Sequence, residues 1–275
     1  QFSILGDSVS TLEGYNPRGY ALFYYGEKCE RTQVREYKDT WWGKVIDFLG
    51  GELLVNNSWS GSRVTKLPDK DKLFPSGCSD ERTSSLHINE VTPDVIFVNL
   101  GTNDWARGVT PCVADHILGK DDYTDVFEDA YGLMLSKLRA NYPNAEICCC
   151  TLSNTFISEK PKWEFPSQYG GVHIDTFNEI IRHEAASHGC RLIDLAMYGW
   201  PYDSVDGSHP NAAGMNTIAT MIIRELAGDE VFPFLDCQDG GHDYRIVEEY
   251  TGGRKYVCKK CGRIHYTNIL HSPEG

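Results

Sequence analysis

The 275-residue chain has no run of about 18 consecutive apolar residues, the length a membrane-spanning helix needs, so no helical span is expected within it. It opens on Phe2-Ser3-Ile4-Leu5 with no basic region and apolar segment ahead of them; Gln1 is not a natural start, and over the residues present no export signal is expected. Basic side chains are scarce. Against 39 Asp and Glu there are 26 Lys and Arg, a formal charge of −13. A phosphate backbone or an anionic bilayer would be repelled by that field, so neither nucleic acid nor membrane is expected as a partner. Substrates should be neutral, cationic or locally shielded. No internal repeat is present, which excludes a solenoid.

What is present reads as an ordinary globular chain, 41% hydrophobic and 24% charged. Its length suits one large α/β domain with a small appendage, since single cores stop growing at roughly 250–300 residues. The acidity is uneven. Residues 237–275 hold six basic and five acidic side chains, leaving 20 against 34 in residues 1–236. A boundary is therefore expected between a catalytic-sized domain, residues 1–230, and an extension, 231–275. Of ten cysteines, Cys148, Cys149 and Cys150 are consecutive in an apolar run, and three others, Cys237, Cys258 and Cys261, lie in a metal-like pattern near the end. That usage is expected of a reducing cytoplasm rather than a disulfide framework.

Short apolar runs alternate with longer amphipathic segments, the pattern of a parallel sheet covered by helices on both faces. Strands are expected at 2–6, 53–57, 94–99, 145–152 and 191–194. Helices are expected from Thr40 to Leu49, where Trp41, Val45, Phe48 and Leu49 recur at helical spacing, and over 121–140, 171–188 and 212–226. Gly189 and Gly228 would end the last two. Residues 11–39 and 60–92 lack a period and read as long loops. Each adjoins a cluster described next, so they are expected to build the substrate pocket.

Four clusters follow one another: Gly6-Asp7-Ser8, then Gly61, then Gly101-Thr102-Asn103-Asp104, then Asp206-Gly207-Ser208-His209-Pro210. Read alone, each has a plain structural explanation: a turn serine or helix cap, a glycine loop, turn chemistry, and an inert histidine beside a turn aspartate. Read together, they supply a nucleophile (Ser8), a base (His209), a carboxylate to orient the base (Asp206), and donors for a developing oxyanion in the Ser8 and Gly61 N–H groups and the Asn103 amide. The three-residue step from Asp206 to His209 lets both side chains turn to one side, and Pro210 stiffens the chain after the base.

These residues resemble the SGNH hydrolase superfamily, the GDSL-type lipases and esterases: Ser8, Gly61, Asn103 and His209 match its four letters in order, with Val9 in the place of the signature leucine. The resemblance covers about residues 1–227. It implies a flavodoxin-like three-layer α/β/α sandwich around a five-stranded parallel sheet, and ester hydrolysis through an acyl-serine intermediate without a catalytic cofactor. Two alternatives keep the same residues but not the same role: a thioesterase or lysophospholipase with an identical triad, and a non-enzymatic binding module of this fold.

The extension carries Cys258-Lys259-Lys260-Cys261-Gly262, a turn that brings two thiolates together, with Cys237 and His242 upstream across expected hairpin strands at 244–250 and 256–257. Four such ligands suit a tetrahedral structural zinc and resemble a zinc ribbon; His265 or Asp236 can replace the looser member, and a Cys258–Cys261 disulfide or free thiols are the alternatives. A closed four-ligand site leaves no position for water, so the zinc is assigned to folding the tail and not to catalysis. A zinc hydrolase would instead lose activity to a chelator. Whether the tail covers the pocket, supports a homo-oligomer or binds a partner stays open.

For the substrate, Trp59, Arg63 and Trp105 flank the second and third clusters and are candidate substrate-binding residues, although core packing of the tryptophans and a solvated surface arginine are the commoner explanations. No long amphipathic lid is present, which argues against a triglyceride lipase. A short-chain ester is expected, in particular an O-acetyl ester of a carbohydrate or similar small conjugate. Metal analysis of the purified chain should find about one zinc per molecule; a metal-free chain of unchanged stability would sink the ribbon.

Overall fold

The computed structural model describes residues 1–66, 74–113 and 124–227, together with the strands Tyr244–Tyr250, Gly253–Cys258 and Ile264–Asn268. Five strands, β1 (Phe2–Gly6), β2 (Leu53–Ser58), β3 (Val95–Asn99), β4 (Glu146–Cys150) and β5 (Arg191–Ile193), form one parallel sheet in the order β2-β1-β3-β4-β5. Each lies within about two residues of its sequence-based expectation. Because successive side chains of a strand point to opposite faces, the apolar runs feed two cores. Phe2, Ile4, Phe97, Cys148 and Cys150 pack with the helices α1 (Trp41–Phe48) and α5 (Ala212–Ala227). Leu5, Ile96, Val98, Ile147 and Cys149 pack with α3 (Phe127–Asn141) and α4 (Ile174–Ser187). A short helix, α2 (Thr102–Ala106), follows β3 directly. The result is the expected α/β/α sandwich.

The cysteine triplet is thus a segment of the interior strand β4 that alternates between the two cores. Burial pushes the Cys148 thiol up to about 12 and the Cys150 thiol up as well, so both stay neutral.

Several boundaries differ from the sequence reading, each for a local reason. The helix expected over 121–140 begins at Phe127, where the Phe127 and Glu128 N–H groups donate to the carbonyls of Thr110 and Pro111; residues 121–123 lie outside the described region. The next helix begins at Ile174 rather than at 171, because Gly170 and Gly171 adopt φ of +56° and +79° in a tight turn between two short strands, and the His173 ring then accepts the Asp175 N–H. In α1 the buried side is Trp41, Trp42, Val45 and Ile46, whereas Phe48 and Leu49 at its end are exposed. The supposed loops 11–39 and 60–92 contain helical turns at Glu27–Thr32 and Asp80–Ser84, too short to leave a period in the sequence.

The C-terminal strands form a separate three-stranded antiparallel sheet, one strand more than the expected hairpin, in which Tyr244 lies opposite Cys258 and Tyr256 opposite His265. Of the expected zinc ligands, Cys237, His242 and Cys261, with the alternative Asp236, lie outside the described residues, as do residues 228–243 and the boundary placed at 230/231.

The sheet order makes β1 the turning point: the chain moves from β1 to β2 on one side and returns to β3 on the other. The crevice beyond the carboxyl ends of β1 and β3 is where open α/β sheets bind ligands. The turn leaving β1 is fastened from α1 and β2. Ser10 Oγ accepts the Trp41 indole N–H at 3.1 Å, and the Ser10 carbonyl accepts the Trp42 indole at 3.0 Å and Asn56 Nδ2 at 2.8 Å. A Cβ on Gly6 would come 2.7 Å from Ser58 Oγ and 2.9 Å from Ser10 Oγ, so only glycine fits that close approach. Ser10→Ala strands the buried Trp41 N–H and should lower stability by about 1–3 kcal/mol, read as a lower urea midpoint at unchanged slope.

Candidate active site

Ser8 begins a 3-10 turn, Ser8–Ser10, immediately after β1, and the Asp7 carboxylate caps that turn by accepting the Val9 N–H at 3.0 Å. His209 arrives from the opposite end of the sheet, on the loop between β5 and α5. That loop is pinned at several points: Tyr202 Oη donates to the Ser208 carbonyl and buried Tyr24 Oη to the Pro210 carbonyl, both at 2.8 Å, while Val205 N–H donates to the His209 carbonyl. Gly207 turns it at φ +94° against the Trp163 ring, leaving no room for a Cβ.

The three side chains meet in line. His209 Nε2 lies 2.9 Å from Ser8 Oγ, and His209 Nδ1 lies 2.8 Å from Asp206 Oδ2. With Asp206 accepting the Nδ1 proton, Nε2 is left as the acceptor facing Ser8. Asp206 Oδ1 also accepts the backbone N–H groups of Ser208 (3.1 Å) and His209 (2.9 Å). Partial burial pushes the Asp206 carboxyl up, but the imidazole and these two N–H bonds outweigh it and hold it at about 2. It is a carboxylate at any pH where the histidine can act as a base.

Gly61 follows β2 at φ +83°, and its N–H has no acceptor among the described residues. Asn103, in α2, donates Nδ2 to the Ser62 carbonyl at 2.9 Å and to Asp7 Oδ2 at 3.3 Å, so its amide lies between the Gly61 loop and the Ser8 turn. The spacing between that loop and α2 is set by Asp104. Fully buried, it accepts from Val64 N–H (2.9 Å), Thr65 N–H (3.0 Å) and Thr65 Oγ1 (2.7 Å). Ser8, Gly61, Asp206 and His209 thus fall on turns or loops, and Asn103 in the first turn of α2, beyond the carboxyl ends of the strands.

The expected substrate-binding residues separate. Trp59 is half-buried, packed on Tyr20 at 4.1 Å between ring centroids and on Phe74 at 5.4 Å. Arg63 is partly exposed beside the Gly61 loop; burial lowers its pKa, the Asp104 carboxylate opposes this, and Arg107 adds to it. Trp105 does not belong with them. It is 3% exposed in the core, donates its indole N–H to the Val172 carbonyl at 3.2 Å, and stacks on Phe165.

Sequence reasoning missed four contributors. The Phe23 ring lies flat on the His209 imidazole, 3.5 Å between centroids and 3° from parallel, and so fixes the plane of the base. Arg107 brings Nη2 to 3.7 Å from where a Cβ on Gly61 would stand. Asp104 was legible only as a neighbour of Asn103. Arg82, wholly buried behind the Gly61 loop, left no signal at all. Among the described residues, Glu128, His183 and Glu184 bring three ligand atoms within 4.8 Å of one another, but none of these belongs to the Ser8 cluster.

Known proteins share this fold. A family model described as GDSL-like Lipase/Acylhydrolase matches residues 1–167. A putative GDSL-like lipase structure from Bacteroides ovatus is similar at 27% identity and a TM-score of 0.63, covering 82% of this chain and 96% of that one. A second, from Bacteroides uniformis, is 28% identical with a TM-score of 0.62, over 82% and 94%. A multidomain esterase of Ruminococcus flavefaciens is 23% identical over 202 residues, 70% of this chain; the match spans only 23% of that protein's length.

Asp7 provides a pH test of the site. Burial raises its carboxyl from 3.8 to about 6, against the Val9 N–H bond, the His209 and Arg82 charges, which lower it, and with the Asp104 charge, which raises it. An acid that titrates higher in the folded chain favours folding while neutral, so that contribution is full below about pH 4 and lost as pH rises through about 6. Relative to Asp7→Asn, the native chain should lose stability across that window, levelling at about 3 kcal/mol from 1.36 kcal/mol per pKa unit. Guanidinium unfolding between pH 4 and 7.5 checks this, and a pH-independent difference would contradict it.

Proposed function

Because the chain belongs to the GDSL-like lipase/acylhydrolase family, we propose that this serine ester hydrolase removes short acyl groups, acetyl foremost, from a carbohydrate or similar small conjugate. The observation that carries the reading is the continuous relay Asp206–His209–Ser8, at 2.8 and 2.9 Å. Ser8 Oγ attacks the ester carbonyl as its proton passes to His209 Nε2. The oxygen that becomes negative is received by the N–H groups of Ser8 and Gly61 and by Asn103 Nδ2. Of the two resting bonds of Asn103, the longer, to Asp7, is the one that yields. His209 then protonates the leaving alkoxide, and a water activated by the same nitrogen releases the acyl group from Ser8.

The choice of a small ester on a sugar-like partner is supported by the surroundings. Trp59 and Tyr20 offer aromatic faces of the kind that stack on pyranose rings, and Arg63 and Arg107 stand beside Gly61 as donors for hydroxyl or carboxylate oxygens. Binding without catalysis would require none of the relay.

The test is a series of p-nitrophenyl esters from acetate to octanoate, followed by acetylated sugars. kcat/KM should be highest on acetate and fall with chain length, and a fluorophosphonate should label Ser8. Ser8→Ala should abolish turnover, and Asn103→Ala should lower kcat by ~10²–10³. Full hydrolysis by Ser8→Ala would refute the mechanism; a preference for octanoate would refute the substrate class.

A further inference from the structure

Arg82 is fully enclosed, and its side chain can offer five N–H donors. Five acceptors surround it. Nε donates to Asn57 Oδ1 at 2.5 Å; Nη1 donates to Ser62 Oγ at 2.8 Å and the Pro75 carbonyl at 3.2 Å; Nη2 donates to the Gly6 carbonyl at 3.0 Å and the Asn57 carbonyl at 2.8 Å. It sits in the five-residue helix Asp80–Ser84, held by the Ser79 cap, whose Oγ accepts the Arg82 N–H at 3.2 Å.

The identity of the acceptors matters more than their number. Gly6 is the last residue of β1, two positions before Ser8. Asn57 is the next-to-last residue of β2, and Ser62 directly follows Gly61. The carbonyl of Ser62 is in turn the acceptor of Asn103 Nδ2 at 2.9 Å. Each of the three oxyanion donors sits on a different segment, after a different strand, and all three segments are tied to this guanidinium, directly or through Ser62. We infer that Arg82 is the positioning residue of the oxyanion hole, setting the spacing of the Ser8, Gly61 and Asn103 donors from behind; this rests on the acyl-serine reading above.

A lysine cannot take the place. Its three donors rotate about one nitrogen, whereas these acceptors need a planar fork with divergent ends. The charge contributes besides the geometry. Burial lowers the Arg82 pKa to about 10, opposed by Tyr20, Glu81 and Asp7, so the group remains a cation at neutral pH. A fixed positive charge behind the hole favours the state in which negative charge forms there. Tyr20, whose ring lies 5.9 Å from the guanidinium carbon, covers it on the Trp59 side.

The experiment compares the native chain with Arg82→Lys, Arg82→Met and Ser62→Ala. For each, kcat and KM on p-nitrophenyl acetate are measured with the inhibition constants of an aryl trifluoromethyl ketone and its methyl ketone counterpart. The trifluoromethyl ketone adds to Ser8 and places an anionic oxygen in the hole; the methyl ketone binds without doing so. In folded Arg82→Lys, kcat should fall ~10–100-fold and the advantage of the trifluoromethyl ketone should shrink by the same factor, with KM held within about threefold. Ser62→Ala, which removes one oxygen and leaves the helix intact, should move both in the same direction by about fivefold. A purely structural role would lower the unfolding midpoint and leave the ketone ratio unchanged, and that result in a folded variant overturns the inference. If neither Arg82 variant folds, Ser62→Ala decides: a reduced ratio supports the tie, and a native ratio and kcat refute it. Failure of the acyl-serine reading is seen separately, as turnover surviving Ser8→Ala.

Discussion

The bond between His209 Nε2 and Ser8 Oγ joins residues 201 positions apart in the chain, and no local feature of either segment could hold it at 2.9 Å. Ser8 follows the interior strand β1, whereas His209 lies in a loop that follows the edge strand β5. The bond therefore depends on four of the five strands, β1-β3-β4-β5, standing in register. At the Ser8 end, the tryptophan indoles of α1 and the Asn56 amide clamp Ser10. At the His209 end, two tyrosine hydroxyls fix the neighbouring carbonyls and Phe23 fixes the ring plane. Buried hydroxyl and indole donors are suited to this, since an unmet N–H or O–H in the interior is costly and each therefore selects one backbone position.

The other half of the site is organised by buried charge. Asp7, Asp104 and Arg82 are all enclosed around the donors, and burying an ion is unfavourable unless its hydrogen-bonding capacity is met. Arg82 meets it with five acceptors. Asp104 meets it with three donors from the Gly61 loop, and Asp7 with the Val9 N–H and the Asn103 amide. The desolvation cost is therefore what enforces the geometry: each ion is tolerable only if the segments carrying its partners stand where they do.

This division explains what the sequence disclosed. The strands were legible because a parallel sheet needs apolar residues on both faces, which leaves runs such as Val95–Asn99 and Glu146–Cys150 between turn signals. The catalytic letters were legible because Ser8, Gly61, Asn103 and His209 come from residue types with few roles in common, in a fixed order. Arg82 and Phe23 were not. Three of the five acceptors of Arg82 are backbone carbonyls, which have the same sequence signature in every residue, and its other two, like the ring on which Phe23 lies, are brought in by the fold. Trp105 misled for the opposite reason: it lies two residues after Asn103 in the chain, and two steps along the short helix α2, roughly 200° at 3.6 residues per turn, turn its ring into the core. The helix of Asp80–Ser84 escaped because five residues cannot express a period of 3.6.

The same charges bear on which reactions the site can stabilise. An oxyanion forming between Ser8, Gly61 and Asn103 would face two buried carboxyl groups, Asp7 and Asp104, in a protein whose net charge is −13. Donor N–H groups alone would work against that field. Three guanidiniums stand on the same side: Arg82 behind the donors, Arg107 against Gly61, and Arg63 within reach of Asp104. Together they offset Asp7, Asp104 and the relay carboxylate Asp206 one for one, and because Arg82 is fully buried, its charge is screened less than the surface charge. Asn103 already points its amide between the two segments before any substrate binds, so little reorientation is needed as charge develops. The acidic surface and the guanidiniums around the donors are then compatible: the former governs what approaches the protein, and the latter keep the buried carboxyl groups from opposing the charge that forms on the oxyanion.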